Sequence, residues 1–329
     1  MDNNVTLKEI IKFLDEQPGS RPMNIAQKLG VSRQYIQRLL AENSERFTVS
    51  GSGPNRFYRN NVTSVDSKKN DKIIGADIKP EDAKIIDENF YSLTPLGEEL
   101  VGVKGLITWS LARNFDPAAK QKEYLSILRK YYPSHFKSPI DVTKKVKDAL
   151  GDIAIEKIWA VDYYNFEIFG KTKLGTQVLI AKQTGDVQTT QQLVHRLEVA
   201  VEYVIGKYDI DALVFVSPTI QRPSQLMTKL DNGVTKQTPR IKVHKVGAKI
   251  LIAQKTLKSL EDRVLNAAQT FIVESQVQYN NVLIIDDALG SGATINEIAK
   301  QIKQKQIGRN CYGLVLVSSP SGYDVINEA

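Results

Sequence analysis

Cysteine is almost missing: Cys311 stands alone among 329 residues. That excludes an intrachain disulfide and any zinc site built from several thiolates, and places Cys311 in or near a core strand. Histidine is scarce too, and His135, His195 and His244 lack Cys, Asp or Glu at metal-ligand spacing, so each is expected to be structural or solvent-facing. No apolar run approaches a membrane span, and Met1-Asp2-Asn3-Asn4 lacks signal-peptide character. A cytoplasmic location with no membrane partner is the expectation. A Gly-x-x-x-x-Gly-Lys-Ser/Thr loop occurs nowhere, which removes the P-loop ATPase reading for a strand that ends in acids.

What is present suits globular domains. Hydrophobic residues make up 42% and charged residues 25% of the chain, and the length allows two or three cores. The 44 basic residues exceed the 37 acidic ones for a net charge of +7, which permits nucleic-acid binding without specifying it.

In residues 1–60, Val5, Leu7, Ile10, Ile11 and Leu14 form a helical stripe over 5–17 that ends at Pro18-Gly19. A second helix follows Pro22 to Leu29, before Gly30. Ser32 caps a third, with Ile36, Leu39 and Leu40 inward and Arg33, Gln34, Gln37 and Arg38 outward. Strands near 47–49 and 56–58 flank the glycine-rich stretch 50–55. Three helices and a hairpin in this order resemble a winged helix-turn-helix, and Ile25 to Ile36 is similar to the turn of that family. The resemblance implies DNA as partner, with Ser32, Arg33, Gln34, Gln37 and Arg38 at the major groove and Arg56 and Arg59 on the backbone. Protein docking or dimerisation is the alternative use of such a module, and specific DNA binding would call for a homodimer.

Residues 61–77 are polar and charged, a linker composition. The middle, 78–152, reads as a helical connecting segment with helices near 80–90, 95–113, 117–131 and 139–150. Thr94-Pro95, Asp116-Pro117 and Ser138-Pro139 mark starts, and Gly151 a stop. Trp109, Phe115, Tyr124, Tyr131 and Tyr132 are expected as core or interface aromatics. This segment carries no catalytic signature.

From 153 to 329, strand and helix patterns alternate as in an α/β sheet. Strands are expected at 158–161, 178–181, 212–216, 240–246, 271–273, 282–285 and 312–317. Helices are expected at 189–205, closed by Gly206, and at 257–268. The most informative stretch is Val282 to Ile295. Four apolar residues precede Asp286 and Asp287, then Gly290-Ser291-Gly292-Ala293-Thr294 leads into a helix stripe of Ile295, Ile298, Ala299 and Ile302. A strand, a small-residue turn and a helix N-terminus form an anion cradle, and the paired acids beside it suit ribose hydroxyls or hydrated magnesium.

Residues 282–295 resemble the phosphoribosyl-pyrophosphate (PRPP) signature of the type I phosphoribosyltransferases. Gln254-Lys255-Thr256-Leu257 with Leu260, Arg263, Asn266 and Phe271 resemble its ComF-like branch. The resemblance implies that fold, a parallel sheet preceded by the winged helix and the helical segment. It implies Asp286 and Asp287 on the ribose, directly or through Mg2+, and the stretch Ala288, Leu289, Gly290, Ser291, Gly292, Ala293 and Thr294 around the 5′-phosphate. Ser217, Pro218, Thr219 and Arg222 would form the pyrophosphate loop, with Arg222 neutralising the leaving group. Gly290 stands where the family usually carries a hydroxyl, and the Arg-Gly-Phe-Asn phrase of the ComF-like branch is replaced by Pro223-Ser224-Gln225-Leu226. Three functions follow: a nucleic-acid-binding regulator or effector with PRPP or a nucleotide as ligand, similar to the purine repressors of some Gram-positive bacteria; an active magnesium-dependent phosphoribosyltransferase recruited to DNA or a partner protein; and a DNA-uptake or mobile-element accessory protein.

Overall fold

A computed structural model of the chain describes residues 7–51, 53, 56–60, 78–95, 97–132, 139–217, 225–234, 237–245 and 260–320. Two compact units result, Met1–Asp77 and Ile78–Ala329.

The smaller unit contains α1 (Leu7–Glu16), α2 (Pro22–Leu29), α3 (Arg33–Glu42), β1 (Phe47–Ser50) and β2 (Phe57–Asn60). Pro22 opens α2, where a missing N–H costs nothing, and Gly30 closes it at φ 67°, a left-handed position that glycine takes without strain. The Ser32 Oγ accepts the Tyr35 N–H at 3.2 Å and so starts α3. Ile10, Phe13, Leu14, Ile25, Ile36, Leu40, Phe47 and Tyr58 form the core. β1 and β2 are antiparallel, and β2 also exchanges backbone hydrogen bonds between Tyr58 and the Gly19–Ser20 stretch, at 3.1 and 2.9 Å. The hairpin is thereby tied to the segment between α1 and α2.

The larger unit begins with α4 (Pro80–Asn89), β3 (Tyr91–Leu93), β4 (Glu99–Val101), α5 (Gly102–Leu111) and α6 (Pro117–Tyr131). The expected helix over 95–113 is replaced by the β3–β4 hairpin and a shorter helix. Thr94-Pro95 opens a turn: Thr94 exchanges backbone hydrogen bonds with Gly97 and Glu98, and its Oγ1 accepts the Glu98 N–H. Thr-Pro serves a turn as readily as a helix start, so the dipeptide alone could not separate them. Asp116 does cap α6, accepting from Ala118 and Ala119. These helices bury Ile86, Phe90, Leu106, Trp109, Tyr124 and Leu128 against Tyr163, Phe166 and Phe169. Phe115 stays partly exposed beside Trp109.

Next come β5 (Ile140–Asp141), α7 (Thr143–Leu150), β6 (Lys157–Tyr163), β7 (Asn165–Phe166), β8 (Gly170–Lys171), α8 (Lys173–Thr184), α9 (Val187–Tyr208), β9 (Ala212–Phe215) and α10 (Leu226–Gly233). The chain continues through β10 (Lys242–Lys245), α11 (Leu260–Thr270), β11 (Phe271–Glu274), β12 (Tyr279–Leu289), α12 (Ala293–Gln304) and β13 (Gly308–Ser318). The main sheet has the order β5-β6-β13-β12-β9, parallel except for β5. The result is a mixed α/β unit with a mostly parallel sheet.

Three expectations change here. Residues 139–150 are not one helix, because Asp141 pairs in β5 and its side chain accepts the Thr143 N–H at 2.9 Å before α7 begins. Residues 178–181 are helical: Leu174, Val178 and Ala181 recur at helical spacing on the buried face of α8, and so short an apolar run does not reveal its period. Gly206 does not end α9, which runs on to Asp209 at φ 48°.

β12 is buried on both faces. Val282 and Ile284 join a core with α7 and α12, while Leu283 and Ile285 join one with α8, α9 and α10. At the end of β6, the Thr172 Oγ1 accepts the Gly175 N–H at 3.0 Å and donates to the Tyr163 carbonyl at 2.6 Å. α8 then passes so close that a Cβ on Gly175 would lie 2.0 Å from the Tyr164 carbonyl oxygen. Alanine gains roughly 1 kcal/mol over glycine in helix propensity, but this contact is with backbone. Gly175→Ala should therefore destabilise the larger unit by about 1–3 kcal/mol; an unchanged midpoint in urea unfolding would contradict the packing.

Candidate functional site

The site expected around Asp286 lies at the carboxyl edge of the main sheet. β9 ends at Phe215, paired with Ile285, whereas β12 continues to Leu289 alongside β13. Asp286 and Asp287 thus project just past the last β9 pairing. After β12 the chain enters α12 on one face of the sheet, and after β9 it enters α10 on the other. Open α/β sheets take their ligands at strand ends where successive connections diverge in this way.

Asp286 Oδ1 accepts the Asp287 N–H at 2.8 Å. Asp287 Oδ1 lies 2.8 Å from Lys182 Nζ of α8, with 17% and 18% of the two side chains exposed. Burial raises the Asp286 carboxyl well above the usual carboxylate range. The Asp287 charge raises it further, while the Asp287 N–H and the Lys182 ammonium oppose the shift. The pair can accept from ribose hydroxyls. It also fits magnesium, which binds through one or two carboxylates and keeps water and phosphate oxygens as its other ligands. Among the described residues no three His, Cys, Asp or Glu side chains gather as a metal group.

The turn that follows is compact. Gly292 has φ 83°, and a Cβ there would lie 2.8 Å from Val146 Cγ1 of α7, so glycine is required on both grounds. Ser291 is buried, and its Oγ accepts the Ala293 N–H at 3.4 Å. α12 starts at Ala293, so Thr294 lies in its first turn rather than in the loop. The buried Asn296 accepts the Ala154 N–H at 2.8 Å and anchors that helix start. Leu289 packs in one core and Ala288 against the other. Ser217 is committed elsewhere, donating to the Val243 carbonyl at 2.8 Å. Pro218, Thr219 and Arg222 lie outside the described residues, as does the 254–257 part of the ComF-like phrase.

Three polar groups at this edge had no role in the sequence reading. Lys182 was hidden by reading 178–181 as a strand. Lys145 of α7 reaches Ser318 and Ser319 at the end of β13. Asp162, at the end of β6, accepts the Tyr132 hydroxyl and the Tyr163 N–H, and burial holds it above the usual carboxylate range. Of the other singled-out residues, His195 is exposed, His244 lies 3.5 Å from Glu274, Cys311 is buried with its thiol pushed up to about 12 by burial, and His135 lies outside the described residues.

In the smaller unit, Arg33 and Gln37 of α3 meet Arg56, just before β2, around a cleft of about 150 Å³, with Pro22, Ala41, Gly53 and Tyr58. Gln34 and Arg38 are exposed on the same helix, and Arg38 extends over the Tyr35 ring and 3.9 Å from Glu42. Ser32 is occupied as the helix cap. Arg59 alternates with Tyr58 along β2 and lies beside Gly19, away from the cleft. Arg21, over the Phe57 ring at 4.8 Å, is a further cation on this unit.

No family model and no curated protein matches the chain.

The raised Asp286 carboxyl carries a sign. The folded chain holds this proton more tightly than the unfolded chain, so the contribution to stability is full below the ordinary carboxylate pKa of about 4 and is lost as pH rises through the raised value. Urea unfolding at increasing pH should show Asp286→Asn gaining stability relative to wild type; curves that stay parallel would refute the shift.

Proposed function

We propose that residues 78–329 bind PRPP or a nucleotide with magnesium, that the helix–wing unit binds duplex DNA, and that the chain is a nucleic-acid-binding regulator or effector under control of that ligand. The observation that carries the reading is the junction of β12 and α12. There a carboxylate pair stands past the end of β9 and is followed, after Ala288 and Leu289, by Gly290-Ser291-Gly292 and a helix N-terminus. Acids beside a cradle for anions select a ligand with hydroxyls next to a phosphate, which describes a ribose phosphate. Magnesium, when bound, would lower the charge of the acids and of the phosphate together. Gly290 stands where the family usually carries a hydroxyl, and Pro223-Ser224-Gln225-Leu226 replaces the Arg-Gly-Phe-Asn phrase, so binding rather than turnover is the proposal.

The DNA part is supported by Arg33, Gln37 and Arg56, which come from two elements and converge on one cleft. Charged and amide groups on a helix, joined by a cation from a hairpin, suit phosphates and base edges.

Calorimetric titration of the full chain with PRPP and Mg2+ should show saturable heat, and Asp286→Ala with Asp287→Ala should weaken binding by roughly tenfold or more. Absence of heat with wild type would sink the ligand reading. For DNA, affinity should fall with salt at a slope of about −0.9 per neutralised phosphate, and Arg33→Ala with Arg56→Ala should flatten that slope by roughly two. A flat salt response in wild type would favour a protein-docking role.

A further inference from the structure

Lys145 belongs to α7, in the stretch to which the sequence reading gave no function. Its side chain is half-buried, and its ammonium donates to Ser319 Oγ at 2.7 Å, the Ser319 carbonyl at 2.9 Å and Ser318 Oγ at 3.2 Å. An ammonium has three N–H donors, so these oxygens hold it in one position. All three are neutral, and none cancels its charge. Among the described residues Lys145 makes no ion pair, unlike Lys182 with Asp287 or Lys303 with Glu156. Burial alone lowers its pKa, to about 8, which leaves it charged at neutral pH. A partly desolvated cation with only dipoles around it favours an anion in its vicinity.

Its position says which anion site. Ser318 is the last residue of β13 and pairs with Leu289, the last of β12 and the residue before Gly290-Ser291-Gly292. Val146, the neighbour of Lys145, is the side chain that a Cβ on Gly292 would strike, and it shares a core with Leu289 and Ile295. α7 therefore lies against the start of α12 and brings Lys145 to the same edge of the sheet.

We propose that Lys145, held by Ser318 and Ser319 beside the Gly290–Gly292 turn, is a phosphate-binding residue of this site. The ligand class is a phosphate monoester or diphosphate dianion. That its source is a ribose phosphate rests on the function proposed above; that Lys145 binds phosphate does not. The ammonium would exchange its longest contact, to Ser318, for a phosphate oxygen and keep the two to Ser319.

The test uses the full chain, titrated with inorganic phosphate alone and with ribose 5-phosphate plus Mg2+. Wild type, Lys145→Met, Lys145→Arg and the Asp286→Ala/Asp287→Ala pair are compared, with thermal melts to confirm folding. Lys145→Met should weaken both ligands by roughly tenfold or more, with Lys145→Arg between it and wild type. Loss of both carboxylates should weaken ribose 5-phosphate far more than phosphate. If wild type takes phosphate through Lys145 but shows no preference for the ribose phosphate, the inference stands and the ribose reading falls. If Lys145→Met binds both ligands as wild type does, or wild type binds neither, the inference is overturned. Should Lys145→Met fail to fold, Lys145→Gln, whose uncharged amide can still donate to Ser319, decides. Weaker phosphate binding than wild type supports the role, and unchanged binding overturns it.

Discussion

Unequal strand length at the centre of the main sheet is the constraint on which the candidate site depends. Val282 to Ile285 are buried on both faces, with β13 on one side of the strand and β9 on the other. An ionised carboxylate within that span would cost several kcal/mol to desolvate. β9 stops opposite Ile285, and Asp286 is the next residue along β12. The acids sit at the first positions where the sheet opens on one side, yet β13 still holds their backbone rigid. Their partial burial follows from the same geometry, and it is what raises the Asp286 carboxyl.

The charges around that edge come from helices on opposite faces of the sheet. Lys182 arrives on α8, whose approach is set by Thr172 and by the bare backbone of Gly175. Lys145 arrives on α7, whose approach to the β12–α12 turn is set by the bare backbone of Gly292. In both cases a missing side chain lets a helix come close enough to deliver a cation to the strand ends. Lys182 meets a carboxylate there and Lys145 meets only neutral oxygens. Among the described residues of this edge, one cation is matched by a carboxylate and one meets only neutral oxygens.

The smaller unit shows a comparable economy. The Tyr58 backbone ties the β1–β2 hairpin to the segment between α1 and α2, and the Asn60 side chain donates to Asp15 at 2.8 Å. With the hairpin fixed, Arg56 faces α3 and shares a cleft with Arg33 and Gln37, while the strict alternation of a strand sends Arg59 to the other side.

Much of the architecture was legible locally because single residues carry unambiguous physics. Pro22 and Gly30 bound α2, Ser32 and Asp116 cap their helices, and Gly151 ends α7. The run of four apolar residues, two acids and a glycine turn marks a strand, its exposed end and a helix start. Where a signature serves two conformations, neighbours decided. Thr94-Pro95 became a turn because Glu98 and Gly97 close it, and Val178–Ala181 became helix because Leu174 packs beside them. The sequence by itself determined the acids, the turn and the capped helices, since each depends on residues adjacent in the chain. Only the tertiary structure decided that Lys145, Lys182, Ser318 and Ser319 join them and that Arg59 lies away from the α3 cleft. Those placements depend on strand register, on where β9 stops and on how closely two helices approach, and no local pattern encodes a distance between segments so far apart in the chain.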